Sequence, residues 1–258
     1  VLAENIDSGV SKMNSDLNWL LFFQPIVEGE TLVWWEMLFS GLLWTLATSA
    51  VAGVIAFTVG SLMGVLRTAS SKPLAFLGNA YVEIFRNIPL IVQFFLWYFV
   101  VPEFIPALKE WSIEQDPTFV QFLASVVCLG LFTASRVAEQ VKSGILSLSR
   151  GQRAAGYALG LTEGQTYRFV LLPMAYRIIV PPMTSEAMNL IKNSSVALTI
   201  GLTELTFRTR EMGEVTFAFF EAYIAATVLY VIVAMTVNRV MALVERRTAV
   251  PGYITGGK

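Results

Sequence analysis

Histidine is absent from this chain of 258 residues, and cysteine occurs once, as Cys128. That excludes disulfides, Cys/His zinc sites and every His-based triad or proton relay. Cys128 lies inside an apolar run and reads as an inert buried thiol. Charge is scarce: Asp, Glu, Lys and Arg make up 14% of the residues, against roughly 25% in soluble domains. The net charge of −1 comes with no basic block or aromatic-basic platform, so nothing points to nucleic acid. No Gly-x4-Gly-Lys-Ser/Thr loop is present, so the chain does not bind ATP through a P-loop. No catalytic pair or metal cluster stands out, which argues against an enzyme. No duplicated half is visible, which argues against a self-sufficient secondary transporter. The opening VLAENIDSGVSKMNSDLNW is polar and lacks the basic-then-apolar order of a signal peptide, so no cleaved leader is expected.

What is present is apolar sequence. Hydrophobic residues make up 55% of the chain and fall in long charge-free runs, which predicts an all-α, polytopic membrane protein. About five spans emerge. The first is Met37 to Leu66. The second is Asn87 to Pro102, short enough that its helix must begin earlier, near Tyr81. The third is Pro117 to Ser135, the fourth Ile178 to Thr203, and the fifth Ala222 to Asn238. With the N-terminus outside and the C-terminus in the cytoplasm, thirteen Lys and Arg fall on inner segments and four (Lys12, Lys109, Arg208, Arg210) on outer ones. The domain reading is an outer interfacial segment over 1–36, a transmembrane domain over 37–245 with a cytoplasmic loop at 150–173, and a cytoplasmic tail over 246–258. The competing reading of the first segment is a longer first helix carrying its aromatic belt, Trp19, Trp34 and Trp35. Ala56, Gly60 and Gly64 recur every four residues, a row that permits close helix approach and suits packing against a second copy or a partner.

The stretch RAAGYALGLTEGQTYRFVLLP, Arg153 to Pro173, is polar and glycine-punctuated between two oily segments. Gly160 stands where a left-handed helix C-cap belongs. Thr162 with Gln165 three later forms a capping-box pattern that starts a second helix, read as ending at Pro173. The expectation is two short helices at a tight, stiff corner beneath the inner face. An ordinary amphipathic connector is the alternative from these residues alone.

That stretch resembles the EAA loop of ABC-transporter permeases, E-A-A-x3-G-x9-I-x-L-P. Ala154-Ala155-Gly156, Gly160 with Leu161 and Thr162 after it, and Leu172-Pro173 hold the family spacing. Ala154 stands in place of the motif's acid and Gly156 in place of its second alanine. VEIFRNIPLIVQFFLWYF and MAYRIIVPPMTSEAMNLIKNSSVA resemble the second and fourth spans of polar amino-acid permeases. YRIIVPPMTSE, GLFTASRVAEQV and LVERR are closest to the glutamate/aspartate importer subgroup. The resemblance implies a type I ABC importer permease of the MetI-like fold in the bacterial inner membrane. It implies coupling through this loop to two cytoplasmic ATP-binding subunits, which hold ATP and Mg; no cofactor is expected in this chain. A second permease, a related chain, and an outer amino-acid-binding protein complete the implied assembly. The substrate implied is a polar, acidic amino acid. Neutral or basic amino acids remain the alternative, as does a channel or anchor working without an ATPase.

In the fourth span Ser185, Glu186, Asn189, Lys192 and Asn193 fall within one arc of about 120° at helical periodicity. Charges inside a span are costly and normally face a cavity or a partner helix. Glu186 and Lys192 are six apart and cannot pair on one helix, so each needs a second chain, water or substrate. The stripe either lines the translocation path, with Lys192 offering a cation to a carboxylate, or joins permease to permease. Glu83 and Arg86, i,i+3 beside Pro89, read as a surface ion pair or an inner gate. Arg136 is read as ending the third span and snorkelling, and for an anionic substrate it would also help attract it. The outer acids, Glu204, Glu211 and Glu214 among them, are either merely solvated or a docking surface for basic lobes of a binding protein.

Overall fold

The computed structural model describes residues 17–26 and 31–248; the outer parts of the N-terminal segment and most of the 246–258 tail lie outside the described residues. Among those described, the regular elements are helices, with one isolated bridge between Pro25 and Val33. The helices are α1 (Trp34–Leu66), α2 (Lys72–Asn87), α3 (Leu90–Phe104), α4 (Pro106–Glu114), α5 (Pro117–Leu146), α6 (Arg150–Ala158), α7 (Glu163–Thr166), α8 (Leu172–Asn193), α9 (Leu205–Thr216) and α10 (Phe219–Thr248). Three of them, α1, α5 and α10, are long and apolar enough to cross a bilayer. The α2/α3 pair makes a fourth if read as one broken span. At 22 residues, α8 is about 33 Å long, matching a hydrocarbon core of about 30 Å, but it carries Arg177, Glu186 and Lys192.

The N-terminal segment is neither a continuation of α1 nor a simple surface helix. Trp19–Phe23 form a short tight turn whose Phe22 is buried with Trp34, Met37 and Leu38 of α1 and Ala222 and Ala226 of α10. The backbone N–H of Asn18 donates to Glu221 at 3.0 Å, fixing the turn to the start of α10. Glu36 accepts from the Val33 N–H at 3.3 Å, so α1 begins at Trp34, ahead of the charge-free run.

The spine is α1 against α5. A Cβ placed on Gly60 would lie 2.5 Å from the Cβ of Val137 and 2.7 Å from the Ala134 carbonyl. One on Gly64 would lie 2.6 Å from the Cβ of Val141. The small-residue row is thus occupied by this chain's own α5, not by a second copy. The third span also runs on past Ser135 to Leu146, because Val137, Ala138, Val141 and Ile145 keep helical apolar spacing and are buried. Arg136 is therefore mid-helix rather than at a helix end. Asp116 caps the other end, accepting from the Phe119 N–H at 3.1 Å with Pro117 in the first turn.

Prolines shape the remaining helices. Between α2 and α3 the chain bends by 103° at Ile88-Pro89, so the second span is not one straight helix starting near Tyr81. Pro89 has no N–H to give the Phe85 carbonyl. The buried Gln93 side chain supplies one instead, donating to Phe85 and Ile88 carbonyls, each at 2.9 Å. Two wide π-turns, Leu96–Val100 and Tyr167–Leu171, each end two residues before a proline, Pro102 and Pro173. A proline ring collides with the carbonyl four residues back; widening the turn moves that carbonyl away without breaking the helix. Hence Pro173 does not stop the helix begun at Glu163, which passes through the wide turn into α8. Beyond Asn193 a tight helical stretch, Ser194–Ile200, ends at Gly201 with φ +89° and leads into α9.

Candidate functional site: an α6–α7 elbow and a charged cluster between α5 and α8

The elbow is α6, a corner and α7. Gly160 adopts φ +78°, the left-handed geometry the sequence implied. The Leu161 N–H donates to the Gly156 carbonyl (3.1 Å) and the Gly160 N–H to the Tyr157 carbonyl (2.9 Å). That pairing is a Schellman closure. The capping box forms: the Thr162 N–H donates to Gln165 Oε1 at 2.9 Å and the Gln165 N–H to Thr162 Oγ1 at 3.3 Å. Gly156 departs from the motif's alanine for a steric reason, since a Cβ there would sit 2.8 Å from the Thr166 side chain. Ala154, Ala155, Tyr157 and Leu159 are exposed, presenting the outer face of α6, the vacant acid position included, to whatever lies below. Leu172 and Pro173 begin α8.

Sequence reasoning did not find how the elbow is tied to the bundle. The Tyr167 hydroxyl donates to the Thr68 carbonyl at 2.6 Å and accepts from Arg153 Nη2 at 2.8 Å. The Arg153 guanidinium also lies over the Tyr167 ring, 5.3 Å from its centre. Glu163 accepts from the Ser70 hydroxyl at 2.7 Å and the Ser70 N–H at 3.2 Å. Those two hydrogen bonds, hydroxyl first, hold the Glu163 carboxyl below its ordinary value of 4.5. Both ties end on the α1–α2 turn, about ninety residues away in sequence.

The fourth-span stripe is split. Ser185 and Lys192 are on the exposed face of α8, with Asn189 and Asn193 half-buried beside them. Glu186 turns the other way and finds a partner in this chain: its Oε2 lies 3.8 Å from Arg136 Nη1 on α5. The Glu186 side chain is 13% exposed and that of Arg136 41%. The expected partner from a second chain, water or substrate is thus an arginine fifty positions earlier. Among the described residues no carboxylate lies within 4 Å of Lys192.

Glu83 and Arg86 do not pair. Arg86 reaches across to Glu139 of α5 at 3.0 Å, and Arg67 of α1, its side chain 8% exposed, meets the same carboxylate at 2.9 Å. Arg67 also donates to Asn79 at 2.8 Å. Glu83 is exposed, and Pro89 marks the bend. Arg136 and Glu139, one turn apart on α5, therefore reach in different directions, to α8 and to α1/α2.

Several of the acids expected on the outer side have partners within the chain. Glu204 is not on the surface at all: it is 0% exposed and caps α9, accepting from the N–H groups of Phe207 (2.8 Å) and Thr206 (2.9 Å) and from the Tyr230 hydroxyl (3.2 Å). Thr45 of α1 contributes as well, accepting from the Leu205 N–H at 3.1 Å. Glu211, Glu214 and Glu103 pair with Arg208, Arg210 and Lys109. Cys128 is fully buried, as its run implied.

Residues 56–250 match the family described as the binding-protein-dependent transport system inner membrane component. The chain is 49% identical, over 95% of its length and 100% of the relative's, to the glutamate/aspartate import permease protein GltJ of Escherichia coli. It is 30% identical to the arginine transport system permease protein ArtQ of Bacillus subtilis, over 80% of this chain and 90% of that one. Among solved structures, an amino acid ABC transporter superposes with a TM-score of 0.69 at 28% identity, covering 83% of this chain and 95% of that chain. The MetNI methionine ABC transporter shares the fold, with a TM-score of 0.67 at 24% identity over 84% and 98% of the two chains. The helical bundle formed by the described residues agrees with these likenesses, and the chain belongs to the family of binding-protein-dependent transport inner membrane components, the multi-pass, non-catalytic permease subunits of ABC importers.

Proposed function

We propose that this permease carries acidic amino acids, glutamate or aspartate, inward across the inner membrane. The observation that supports this most is the 49% identity, over the full length of the relative, to a protein named for glutamate/aspartate import. The E. coli relatives include a second permease, GltK, 30% identical to this chain over 82% of its length. On that pattern the chain pairs with a related permease, sits on two ATP-binding subunits that hold ATP and Mg, and receives substrate from an outer binding protein. The elbow residues Ala154, Ala155, Gly156, Gly160, Leu161, Thr162, Leu172 and Pro173 form the coupling piece. ATP-driven closure of the ATPases moves the elbow, and the elbow moves α8. Ser185, Asn189, Lys192 and Asn193 line the path, with Glu186 set behind them against Arg136. Arg86 and Pro89, with Glu83 exposed beside them, mark the inner end of the broken helix where the path would narrow. The domain division then follows function: an outer segment, a transmembrane body with loop 150–173, and an inner tail.

The test is reconstitution of the chain with its permease partner, ATPase and binding protein in proteoliposomes. Glutamate or aspartate should stimulate ATP hydrolysis and enter with it. Stimulation by arginine or histidine, with none by the acids, would overturn the substrate reading in favour of the basic class that the 30% identical arginine permease represents.

A further inference from the structure

We infer that Arg136 is the residue that makes the path selective for a second carboxylate on the substrate. The inference rests on the reading of the α8 stripe as the path. Three observations carry it. First, the guanidinium is poorly used. It has five N–H donors, yet among the described residues it makes no hydrogen bond, and its ion-pair contact with Glu186 is long at 3.8 Å. It also lies over the Phe132 ring, 5.9 Å from the centre. Second, it is available. Its side chain is 41% exposed while its partner is 13% exposed, so the arginine stands at the mouth of the pair and the glutamate behind it. The hidden Glu186 Oε2 has no hydrogen-bond partner among the described residues. Third, the charge balance fits. The Arg136–Glu186 pair is neutral by itself; Lys192, six residues beyond Glu186 on α8, lies about 9 Å along the axis and about 120° round it, on the exposed face, so it adds one positive charge beside the pair rather than within it. A glutamate or aspartate zwitterion carries one net negative charge and brings the group to neutrality; a neutral amino acid leaves it at +1, and a basic one raises it to +2. A carboxylate docking on Arg136 would meet the planar, two-pronged donor geometry that favours arginine for this task. Glu186 then holds the guanidinium in place between transport cycles, keeping the cation from standing alone in a low-dielectric setting.

The experiment measures labelled glutamate uptake per ATP hydrolysed in proteoliposomes of the whole complex with its binding protein. The variants are Arg136→Lys, Arg136→Gln and the double variant Arg136→Gln/Glu186→Gln, with assembly checked by co-purification of the ATPase. ATP hydrolysis stimulated by the loaded binding protein reports docking and should persist. Uptake per ATP should fall at least tenfold in Arg136→Gln, stay low in the double variant, and recover partly with Arg136→Lys. The double variant is the decisive one, because it removes both charges and leaves none unpaired. If it transports within twofold of the parent, Arg136 only neutralises Glu186 and the inference is overturned. Uptake in the Arg136→Lys variant below that of Arg136→Gln overturns it too. Should the unaltered complex import neither glutamate nor aspartate, the substrate reading falls on its own evidence, before any variant is compared.

Discussion

At the scale of single residues, the corner between α6 and α7 was the most legible part of the chain. Gly160 and the Thr162/Gln165 pair act through hydrogen bonds spanning at most five residues, so spacing alone carried the geometry. Nothing approaches within 4 Å of where a Gly160 Cβ would be. The penalty for alanine there is therefore purely that of the left-handed backbone, about 1–2 kcal/mol. Gly160→Ala should lower the melting temperature of the assembled complex measurably, and Gly160→Asn much less, because asparagine tolerates this region. The partners of Arg136, Arg86 and Tyr167 were not legible. Periodicity says which face a residue occupies, not which helix packs there, and the ties of Arg136 to Glu186, Arg86 to Glu139 and Tyr167 to Thr68 join residues fifty or more positions apart. Glu163 gives a pH-dependent readout. Its carboxyl is held below 4.5 by Ser70. A depressed folded value means the tie is intact at and above the ordinary carboxylate range and is lost as pH falls through the folded value. Ser70→Ala removes the hydroxyl donor and should move the Glu163 titration upward, as followed by NMR of a labelled side chain; an unchanged titration would show that the hydroxyl hydrogen bond does not form.

At the scale of elements, prolines and glycines decide the shapes, and they were only half read from the sequence. The sequence alone reads the second helix as ending at Pro173; the wide turn ahead of it absorbs the collision and lets the helix continue. The same device ahead of Pro102 shows that the two turns share one cause. The sharp bend at Pro89 depends on Gln93. Gln93→Leu removes donors from two carbonyls, Phe85 and Ile88, and each stranded buried acceptor costs about 1–3 kcal/mol. The variant should expose the bend to limited proteolysis and reduce uptake, with Gln93→Asn too short to restore it. On α1, Gly60→Ala would press a methyl group into Val137 and the Ala134 backbone, and overpacking of this kind costs about 1–3 kcal/mol. Reduced thermal stability of the purified chain is the expected result. An alanine variant as stable as the parent would show that α1 and α5 do not pack at this register.

At the scale of the whole molecule, the apolar runs foretold an all-helical membrane bundle correctly, since charge-free length is a property of the sequence itself. They underestimated where helices end, because α5 and α10 carry polar residues well past the apolar window. The sequence also made the acids look more available than they are. Glu204 is buried as a helix cap, and three other acids are matched by neighbouring cations. Docking of a binding protein should therefore weaken only modestly as salt is raised, since exposed matched pairs present little net field. A steep salt dependence, measured by surface plasmon resonance on nanodiscs, would return the weight to acids with no ion-pair partner among the described residues, such as Glu110 and Glu114. Uptake must stop in vesicles without ATP, and a crosslinker at Leu159, exposed on α6, should capture the ATPase.

One consequence follows from the helix that does not stop. From Glu163 through the wide turn to Asn193 the backbone stays helical for 31 residues, a span of about 45 Å. Its near end is bolted to the α1–α2 turn by Glu163 and Tyr167, and its far end carries Lys192. Such a rod has two weak joints, the wide turn itself and the Pro181-Pro182 step. A small shove at the elbow would thus arrive at Lys192 as a swing rather than a slide, with the two joints setting how far the tip travels.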